Sequence, residues 1–362
     1  MQQYSQVRGM FAIVKASFLG QLRSPMSLVF GFIFPFLFIL IFGNSSRTMP
    51  AVKVAFDKTT DTSSQLYKAI AGFPSIITIK DTGEVLQDKL IKGRVTAIVQ
   101  LQKADSGQYR INIQSSTAGQ DRIDFLRSIL EGIIKTADKD QFPDNPTVAK
   151  LNLLPTIPGR IYRDIDFVLP GQLGFSLLAA GLFGVAFLFF NLRETLVLKR
   201  LNATPLKRSY IILGETLARV FFQMIIVTII IAVGRYAFHF TLVHGLVTYA
   251  EMMVLSFLGL VVFMGFGFFI SGVAKSINTI PAITNLLGFP QFMLAGTFFP
   301  TTNLPEWLQW VSKILPLTYL NDAMRKVAFE GVHLSGCLTE IGILALWGLV
   351  IYTVAIKVFK WE

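Results

Sequence analysis

Six long apolar stretches, separated by shorter polar segments, dominate the pattern of hydrophobic and polar positions along this chain. A membrane-crossing helix needs about 20 consecutive and mostly apolar residues, so each stretch is predicted to be a transmembrane helix. The six predicted spans are residues 26–43, 167–192, 211–234, 252–273, 277–298 and 337–357. The composition agrees, since 52% of the residues are hydrophobic and only 15% are charged, whereas soluble domains carry about 25% charged residues. The pattern therefore indicates a mostly α-helical, polytopic six-helix bundle.

Residues 1–25 are predicted to form an amphipathic helix ahead of the first span. Apolar side chains recur there at three- and four-residue steps, and basic side chains fall off that stripe. The stripe consists of Val7, Met10, Phe11, Val14, Phe18 and Leu22. A basic amphipathic helix of this kind is typical of the membrane interface. A simple cytoplasmic extension is the alternative.

Residues 44–166 form the one polar stretch long enough to be a domain. Residues 52–57, 77–81, 95–101 and 109–114 alternate like strands, with residues 105–107 as a turn, and residues 84–93 and 121–139 have helical spacing. Strands mixed with helices predict a small α/β or α+β domain. Residues 142–160 are rich in proline and are predicted to be a linker back to the membrane.

The net charge of +11 is distributed unevenly along the chain. Residues 44–166 are nearly balanced, and the basic excess lies in the segments on one side of the predicted spans, which argues against a nucleic-acid partner. The positive-inside rule places that side in the cytoplasm. Both termini are then cytoplasmic, and residues 44–166 and 299–336 are extracytoplasmic.

Residues 295–331, between the last two predicted spans, combine prolines with aromatic side chains. Tryptophan and tyrosine favour the boundary between membrane and water. The segment is therefore predicted to dip into the outer edge of the bilayer as re-entrant helices, and the alternative is an interfacial helix that only anchors the bundle. Its candidate gate residues are Phe299, Pro300, Pro305, Trp307, Pro316, Tyr319 and Arg325.

Residues 193–210 form a short basic loop between the second and third spans. The loop is predicted to be helical up to Thr204, because Pro205 ends a helix. A basic loop of this kind is either an anchor that obeys the positive-inside rule or a docking element for a cytoplasmic partner.

Two motifs resemble the ABC-transporter permeases of the type-2 export family. In the basic loop the motif is Arg193-Glu194, Leu198-Lys199-Arg200-Leu201 and Ala203-Thr204-Pro205-Leu206, and it departs from the family only where Leu196-Val197 replace a common Gly-Thr. In residues 296–331 the pattern G-x-F-x-P…L-P-x-W-L…P-L-T-Y…R…G is similar to the external re-entrant helices of the family. Residues 44–166 resemble the large external domain of a subset of the family.

The resemblance implies a permease subunit in the inner membrane of a bacterium. The basic loop would be the coupling helix for the ATPase, through Arg193, Glu194, Leu198, Lys199, Arg200, Leu201, Thr204 and Pro205. Two cytoplasmic ATPase subunits would carry ATP and Mg²⁺, and a second permease subunit, identical or related, would complete the path. The chain lacks the G-x-x-x-x-G-K-[ST] motif, so it is expected to bind no nucleotide by a P-loop and to be no enzyme itself. A periplasmic adaptor and membrane lipids are further candidate partners.

The predicted path is lined by apolar and uncharged polar side chains of the second and fifth spans. Its candidates are Gln172, Phe175, Ser176, Asn285, Phe289 and Gln291, although such polar groups also bond neighbouring helices. A path of this kind suits an amphipathic or hydrophobic substrate, such as a drug, lipid or glycolipid. Pro281 and Pro290 are expected to kink the fifth span. No cofactor or metal is expected in the chain, because no His, Asp or Glu cluster has metal-ligand spacing.

Two other classes of function remain open at this stage. The first is a secondary transporter or channel, which generally needs ionisable residues inside its spans, and none is predicted in the middle of a span. The second is a membrane-anchored receptor that works through residues 44–166, although an anchor needs only one span.

Overall fold

A computed structural model describes residues 5–42, 52–79, 81, 83–103, 109–141, 149–153, 155, 157–160, 162–194 and 206–358. The chain divides into two compact units. The helical unit comprises Met1–Ser45 and Arg163–Glu362, and the α/β unit comprises Ser46–Tyr162.

The elements alternate between the two units in chain order. The first part of the helical unit contains α1 (Gln6–Leu22), α2 (Pro25–Leu28), a π-helical turn (Val29–Ile33) and α3 (Phe34–Phe42). The α/β unit contains β1 (Val52–Phe56), α4 (Gln65–Ala71), β2 (Ile76–Ile79), α5 (Glu84–Ile91), β3 (Ala97–Lys103), β4 (Tyr109–Ser115), α6 (Gln120–Gln141) and β5 (Ala149–Leu153). The chain then returns to the helical unit with α7 (Asp164–Ala179), a π-helical turn (Ala180–Gly184), α8 (Val185–Glu194), α9 (Arg208–Ala237) and α10 (Leu246–Val273). The last elements are α11 (Thr279–Leu294), α12 (Glu306–Ser312), α13 (Pro316–Arg325), a π-helical turn (Lys326–Glu330) and α14 (Leu338–Val358).

Four helical stretches of the described chain are long and apolar enough to cross a membrane. They are Asp164–Glu194, Ser209–Ala237, Leu246–Val273 and Leu334–Val358, and they coincide with four of the predicted spans. The first predicted span contains the shorter apolar helix Val29–Phe42.

The fifth predicted span, 277–298, is a helix of only 16 residues, α11, which is about 24 Å long at 1.5 Å per residue. Gly296 has a left-handed φ of 71°, which stops the helix before Phe298. The Asn321 side chain donates a hydrogen bond to the carbonyl of Ala295 and so occupies an acceptor at the helix end. The prediction missed this early stop because the residues that follow are as apolar as the helix.

Helices α7 and α10 form the buried centre of the helical unit. A Cβ atom added at Gly267 would lie 2.3 Å from the carbonyl oxygen of Gly181, so the two backbones approach as closely as small residues allow. Helix α14 is different, because only 17% of its most apolar window is buried. Most of its surface is available to lipid or to another subunit.

The α/β unit is a five-stranded sheet with the order β2-β1-β3-β4-β5. Strand β1 pairs in parallel with β2 and β3, β3 pairs antiparallel with β4, and β4 pairs in parallel with β5. Apolar residues of α4 and α6 pack on one face of the sheet, and those of α5 pack on the other. The two covered faces make an α/β layered domain, as the mixed pattern predicts.

Four predicted strands and two predicted helices of this unit are confirmed within a few residues at their ends. Two elements were missed. Strand β5 lies inside the predicted linker 142–160, because its edge pairing with β4 outweighs the flanking prolines, and α4 falls in a stretch that was given no element. The predicted turn at 105–107 lies outside the described residues.

Candidate functional site

Helix α1 packs along the first half of α9. Gly214 leaves room for Ile13, the rings of Phe18 and Phe222 meet edge to face at 5.9 Å, and the Ser17 hydroxyl donates to Glu215. The predicted apolar stripe of α1 is therefore divided between two surroundings. Met10, Val14 and Phe18 are half-buried, whereas Val7, Phe11 and Leu22 remain exposed.

Two charged residues of α9 lie inside the helical unit, and the sequence prediction missed them. Glu215 accepts a hydrogen bond from the Ser17 hydroxyl. The Arg219 guanidinium packs on Gly184, where an added Cβ atom would lie 2.6 Å from Nη1 of Arg219. Both residues lie in the first half of Ser209–Ala237, on the side of the basic loop. The expectation that the middle of each span lacks ionisable residues therefore stays a prediction.

The ends of the basic loop are held at one end of the helical unit. The Arg193 guanidinium donates to the carbonyl of Ala274 at 2.8 Å and lies over the Phe190 ring, while Lys207 N donates to the Gln6 side chain at 2.9 Å. The start of α1, the two loop ends and the end of α10 therefore lie together. We call this region the basic end. The remaining predicted coupling residues lie outside the described part of the chain: Leu198, Lys199, Arg200, Leu201, Thr204 and Pro205.

Helix α13 is buried in the helical unit at the opposite end. Leu320 packs against Gly259 of α10. A Cβ atom added at Gly174 of α7 would lie only 2.1 Å from the Oδ1 atom of Asn321. Asn321 also donates to the carbonyl of Ala295 at 3.0 Å. This helix is therefore inserted between α7, α10 and the end of α11. Asn321 has no counterpart among the predicted site residues, since a single asparagine in an amphipathic stretch gives no signal in the sequence.

Arg325, one of the predicted gate residues, joins three segments. Its guanidinium lies 3.8 Å from the ring centre of Phe167 at the start of α7, donates to the Phe167 carbonyl at 3.2 Å and donates to the carbonyl of Gly296. It also lies 3.6 Å from the Asp322 carboxylate. A planar guanidinium satisfies these acceptors and stacks on the ring at the same time, which a lysine ammonium does not do.

Helix α12 carries the exposed aromatic side chains of the predicted re-entrant segment. Trp307 and Trp310 are each 69% exposed, and the Lys313 ammonium lies 4.6 Å from the Trp310 ring centre. Tyr319 instead belongs to the buried helix α13, and its hydroxyl donates to the carbonyl of Lys313 at 2.5 Å.

Three predicted prolines mark element starts in this segment. Pro300 precedes a 3-10 turn, Pro305 precedes α12 and Pro316 is the first residue of α13. Phe299 is half-buried beside them. The segment predicted as one outer rim is thus an exposed aromatic helix followed by a buried one.

A cluster of phenylalanine rings connects α3, α7 and α11. Phe175 lies 4.7 Å from Phe34 and 4.5 Å from Phe292, and Phe38 lies 4.8 Å from Phe298. Further rings of α3 extend the row, since Phe34 and Phe38 are 4.7 Å apart. Of the predicted path residues, Phe175 is the one at the centre of this cluster.

The polar path candidates of α7 lie beside the cluster rather than in it. Ser176 donates to the carbonyl of Gly31 at 2.8 Å and accepts from Gln223 at 2.7 Å, so it bonds neighbouring helices. Both amide atoms of Gln172 are buried without a hydrogen-bond partner among the described residues. A buried amide of that kind favours a polar contact beyond those that the described residues supply.

The candidates of α11 divide between two faces of that helix. Asn285 and Phe289 are exposed, Phe289 by 63%, and they lie on the same face as the exposed Leu286. Gln291 is buried, and its Nε2 donates to the carbonyl of Leu287 at 3.2 Å. The structure therefore does not bring all six path candidates together.

Comparison with known proteins gives the following similarities. The profile described as ABC-2 family transporter protein matches residues 25–357. The ABC transporter G family member 20 of Dictyostelium discoideum is 27% identical over 216 residues, which cover 58% of this chain and 29% of that protein. The probable multidrug ABC transporter permease YbhR of Escherichia coli (strain K12) is 26% identical over 161 residues, or 44% of this chain and 42% of YbhR. The inner membrane transport permease YadH of the same strain is 26% identical over 194 residues, or 52% of this chain and 72% of YadH. The matched stretch thus spans less than half the length of the first two relatives.

Proposed function

Because the chain belongs to the ABC-2 family of transporter proteins, we propose that it is the permease subunit of an ATP-driven exporter. In this proposal the chain forms the substrate path, and separate cytoplasmic subunits bind ATP and Mg²⁺ and hydrolyse the nucleotide. The observation that carries it is the match over residues 25–357, together with a basic loop whose two ends lie at one end of the helical unit. The sequence has no P-loop that would supply the nucleotide site itself.

The basic end faces the cytoplasm in this proposal. Exposed cations at this end include Arg8, Lys15, Lys207 and Lys275, in agreement with the positive-inside rule. Six spans then place both termini inside the cell and the α/β unit outside, in the inner membrane of a bacterium. The four long apolar helices support four of these spans, and the other two are α2–α3 with its π-helical turn and the shorter α11.

The coupling helix of the proposal is the basic loop of residues 193–210. Its near end is tied to the α10 terminus through Arg193, and its far end is tied to α1 through Lys207. A push from the ATPase on this loop would act on α8, α10 and α1 together. The contact of α1 with α9 through Ser17 and Glu215 would carry the movement further into the bundle.

The phenylalanine cluster of α3, α7 and α11 supports an amphipathic or hydrophobic substrate. Aromatic faces bind apolar groups of many shapes without demanding one hydrogen-bond pattern. The exposed face of α11, with Leu286 and Phe289, would meet a second permease subunit or the path between two subunits. A drug, lipid or glycolipid fits this lining, and the name of the relative YbhR, a probable multidrug permease, agrees with it.

The exposed helix α12 would lie in the outer interface of the membrane. Trp307 and Trp310 present apolar rings beside the Lys313 ammonium, which is the composition of an interfacial belt. The buried α13 and the Arg325 contacts would close the outer end of the path. In this arrangement α12 anchors the segment in lipid, and α13 is the part that moves relative to α7.

A secondary transporter is the second candidate, because Glu215 and Arg219 lie inside the helical unit. Ion-coupled transporters use such groups within their spans. Both residues, however, lie at the level of α1, since α1 contacts α9 from Gly214 to Phe222. If α1 lies in the interface, Glu215 and Arg219 lie close to it as well, which favours a structural or coupling role over a midplane ion site.

Charge reversal in the basic loop tests the proposal. We expect the double variant Lys199→Glu/Arg200→Glu to lose co-purification with a P-loop ATPase, because the loop would repel the acidic groups that face it in the complex. The matched control is Arg8→Glu/Lys15→Glu, which reverses two exposed charges on α1 at the same end of the molecule. The measurement is the amount of ATPase that co-purifies with the chain from native membranes.

Equal recovery of the ATPase with the loop variant and with the control would contradict docking at the loop. Recovery of the wild-type chain without any P-loop ATPase would contradict the ATP-driven exporter itself and would favour the secondary transporter or the receptor.

A further inference from the structure

We propose that the α/β unit binds a small organic ammonium ion in a cavity at the carboxyl ends of β1 and β2. The cavity has a volume of about 200 Å³. We call it the carboxyl-end cavity, and its lining residues used below are Phe56, Asp57, Lys58, Tyr67, Thr78 and Asp81. The inference concerns this unit alone and does not depend on the transport proposal.

The position of the carboxyl-end cavity is the first argument. Strands β1 and β2 are parallel, with Ala55 opposite Ile79, so the last residues of both strands open at the same edge of the sheet. Open α/β sheets bind their ligands outside the carboxyl ends of the strands where the strand order reverses, and β1 is one of the two strands at that point of the order β2-β1-β3. The volume is below the range of about 300–1,000 Å³ that drug-sized ligands occupy, so the cavity suits a small molecule or a head group.

The walls of the cavity combine aromatic rings with an unsatisfied hydroxyl. Phe56 is the last residue of β1, Tyr67 belongs to α4, and their ring centres are 4.7 Å apart. The Oγ1 atom of Thr78 is buried without a hydrogen-bond partner among the described residues. Aromatic faces attract cations, and a buried hydroxyl without a partner is stabilised when a ligand supplies a hydrogen bond.

The charge of the cavity selects a cationic ligand. Oδ1 of Asp57 accepts from the backbone N–H and the hydroxyl of Thr59 at 2.9 and 2.7 Å, which leaves Oδ2 as an acceptor. These hydrogen bonds, first that of the Thr59 hydroxyl, lower the pKa of Asp57, so the carboxylate is ionised at neutral pH. Asp81 is already paired with Lys89 at 2.5 Å. Asp57 is therefore the lining carboxylate that an ammonium group in the cavity would meet.

Lys58 is the local cation with which such a ligand would compete. Its ammonium contributes to the lowered pKa of Asp57, and its side chain is exposed and able to move away. An arylalkylamine that holds its ammonium beside Asp57 and its ring beside Phe56 and Tyr67 would act against the charge of Lys58, which also acts on the Asp57 carboxylate. The chemical class that fits is thus a protonated amine with a small apolar body.

The test uses the full-length chain in lipid nanodiscs and isothermal titration calorimetry at pH 7. The probe is phenethylammonium, and its neutral counterpart of the same shape is 2-phenylethanol. We expect saturable binding of phenethylammonium with one site per chain, and binding at least tenfold weaker for 2-phenylethanol. Asp57→Asn should weaken phenethylammonium binding at least tenfold, because the amide keeps the Thr59 contacts through its oxygen but carries no charge.

Two further variants separate the site from a general loss of folding. Lys58→Gln should tighten binding, which a damaged domain would not do, because it removes the competing cation. Asp88→Asn is the matched control, since Asp88 lies on α5, pairs with Lys92 and does not line the cavity. It should leave the affinity unchanged.

Three outcomes would overturn the proposal. They are the absence of saturable heat, equal affinity for the amine and the alcohol, and an unchanged affinity in Asp57→Asn. If empty nanodiscs release the same heat on titration with the amine, the signal comes from partitioning of the amine into lipid, and this result would also contradict a site on the protein.

Discussion

Gly174 lies where α7 passes closest to the side chain of Asn321 on α13. A Cβ atom at this position would be 2.1 Å from Oδ1 of Asn321 and 2.8 Å from Cδ1 of Leu317. Both neighbours are buried and belong to a helix that is packed on several sides. The absence of one methyl group therefore determines how closely α13 packs on α7.

We expect Gly174→Ala to destabilise the helical unit by about 1–3 kcal/mol, as overpacking in a buried core does. The displaced Asn321 would also lose its bond to the Ala295 carbonyl. The control is Gly342→Ala on α14, where an added Cβ atom meets nothing within 4 Å. The measurement is the thermal unfolding temperature in detergent, and equal temperatures for the two variants would contradict the close contact.

Asp61 makes the stability of the α/β unit depend on pH. Hydrogen bonds from the Ser63 hydroxyl and backbone lower the pKa of Asp61 below its usual value of 3.8, with a smaller effect from Tyr109. A carboxyl whose pKa is lower in the folded state stabilises that state above its unfolded pKa, and the stabilisation is lost as the pH falls through the folded pKa. The relevant window therefore begins near pH 4 and extends downward.

We expect Asp61→Asn to lower the unfolding temperature at pH 6 and to reduce the further loss between pH 4 and pH 2. The asparagine loses the charged acceptor for Ser63, and it has no proton to gain in acid. The unfolding temperature followed by circular dichroism at each pH measures this, with Asp124→Asn on the exposed face of α6 as the control. Parallel pH curves for wild type and Asp61→Asn would show that the Ser63 contacts do not act in this way.

The residues that the sequence did not reveal are those whose role is set by tertiary contacts. Arg219 and Asn321 lie in segments that were predicted from apolar length and from proline and aromatic content, but nothing local indicates that one meets Gly184 and the other Gly174. Arg325 was recognised through its motif, and the structure adds the three segments that it joins. The roles of the predicted coupling residues stay predictions, because most of them lie outside the described residues.

At the scale of the elements, the length of the apolar stretches was sufficient to predict four spans, because a long run of apolar residues can be recognised from the sequence alone. The end of α11 was not predictable in the same way, since Gly296 and the Asn321 side chain determine it. Strand β5 depends on pairing with β4, which is a contact between distant parts of the chain. Local pattern thus identified β1 to β4 by their alternation, and it missed β5, whose flanking prolines favoured a linker.

The proline inside α11 gives a prediction for this element. Pro290 provides no N–H for the carbonyl of Leu286 and crowds that turn, whereas Pro281 lies in the first helical turn, where a missing N–H costs little. If the kink at Pro290 helps to gate the path, Pro290→Ala should lower ATP-coupled transport several-fold. Pro281→Ala, as the matched control, should transport like wild type.

The measurement is the transport rate per ATP hydrolysed in membrane vesicles. Unchanged transport and coupling in Pro290→Ala would rule out a gating role for the kink. A similar loss in both variants would instead indicate that α11 tolerates no change in either turn.

At the scale of the whole molecule, the resemblance to type-2 ABC permeases drawn from two motifs is confirmed by the family match over residues 25–357. The chain combines a mostly helical unit with a separate α/β unit, and each has its own hydrophobic core. Sequence composition was sufficient for this division, because apolar blocks and alternating strands are recognisable without tertiary information. The direction of the chain in the membrane, the substrate and the ATPase stay predictions.

ATP dependence of transport tests the central proposal most directly. One set of vesicles would carry the chain with its co-purified ATPase, and a second set would carry the chain alone. The uptake of amphipathic dyes and fluorescent lipids would be measured in both sets, first with ATP and then with an imposed ion gradient. The account predicts that at least one probe moves only when both the ATPase and ATP are present. Transport by the chain alone, driven by a proton or sodium gradient without ATP, would contradict it.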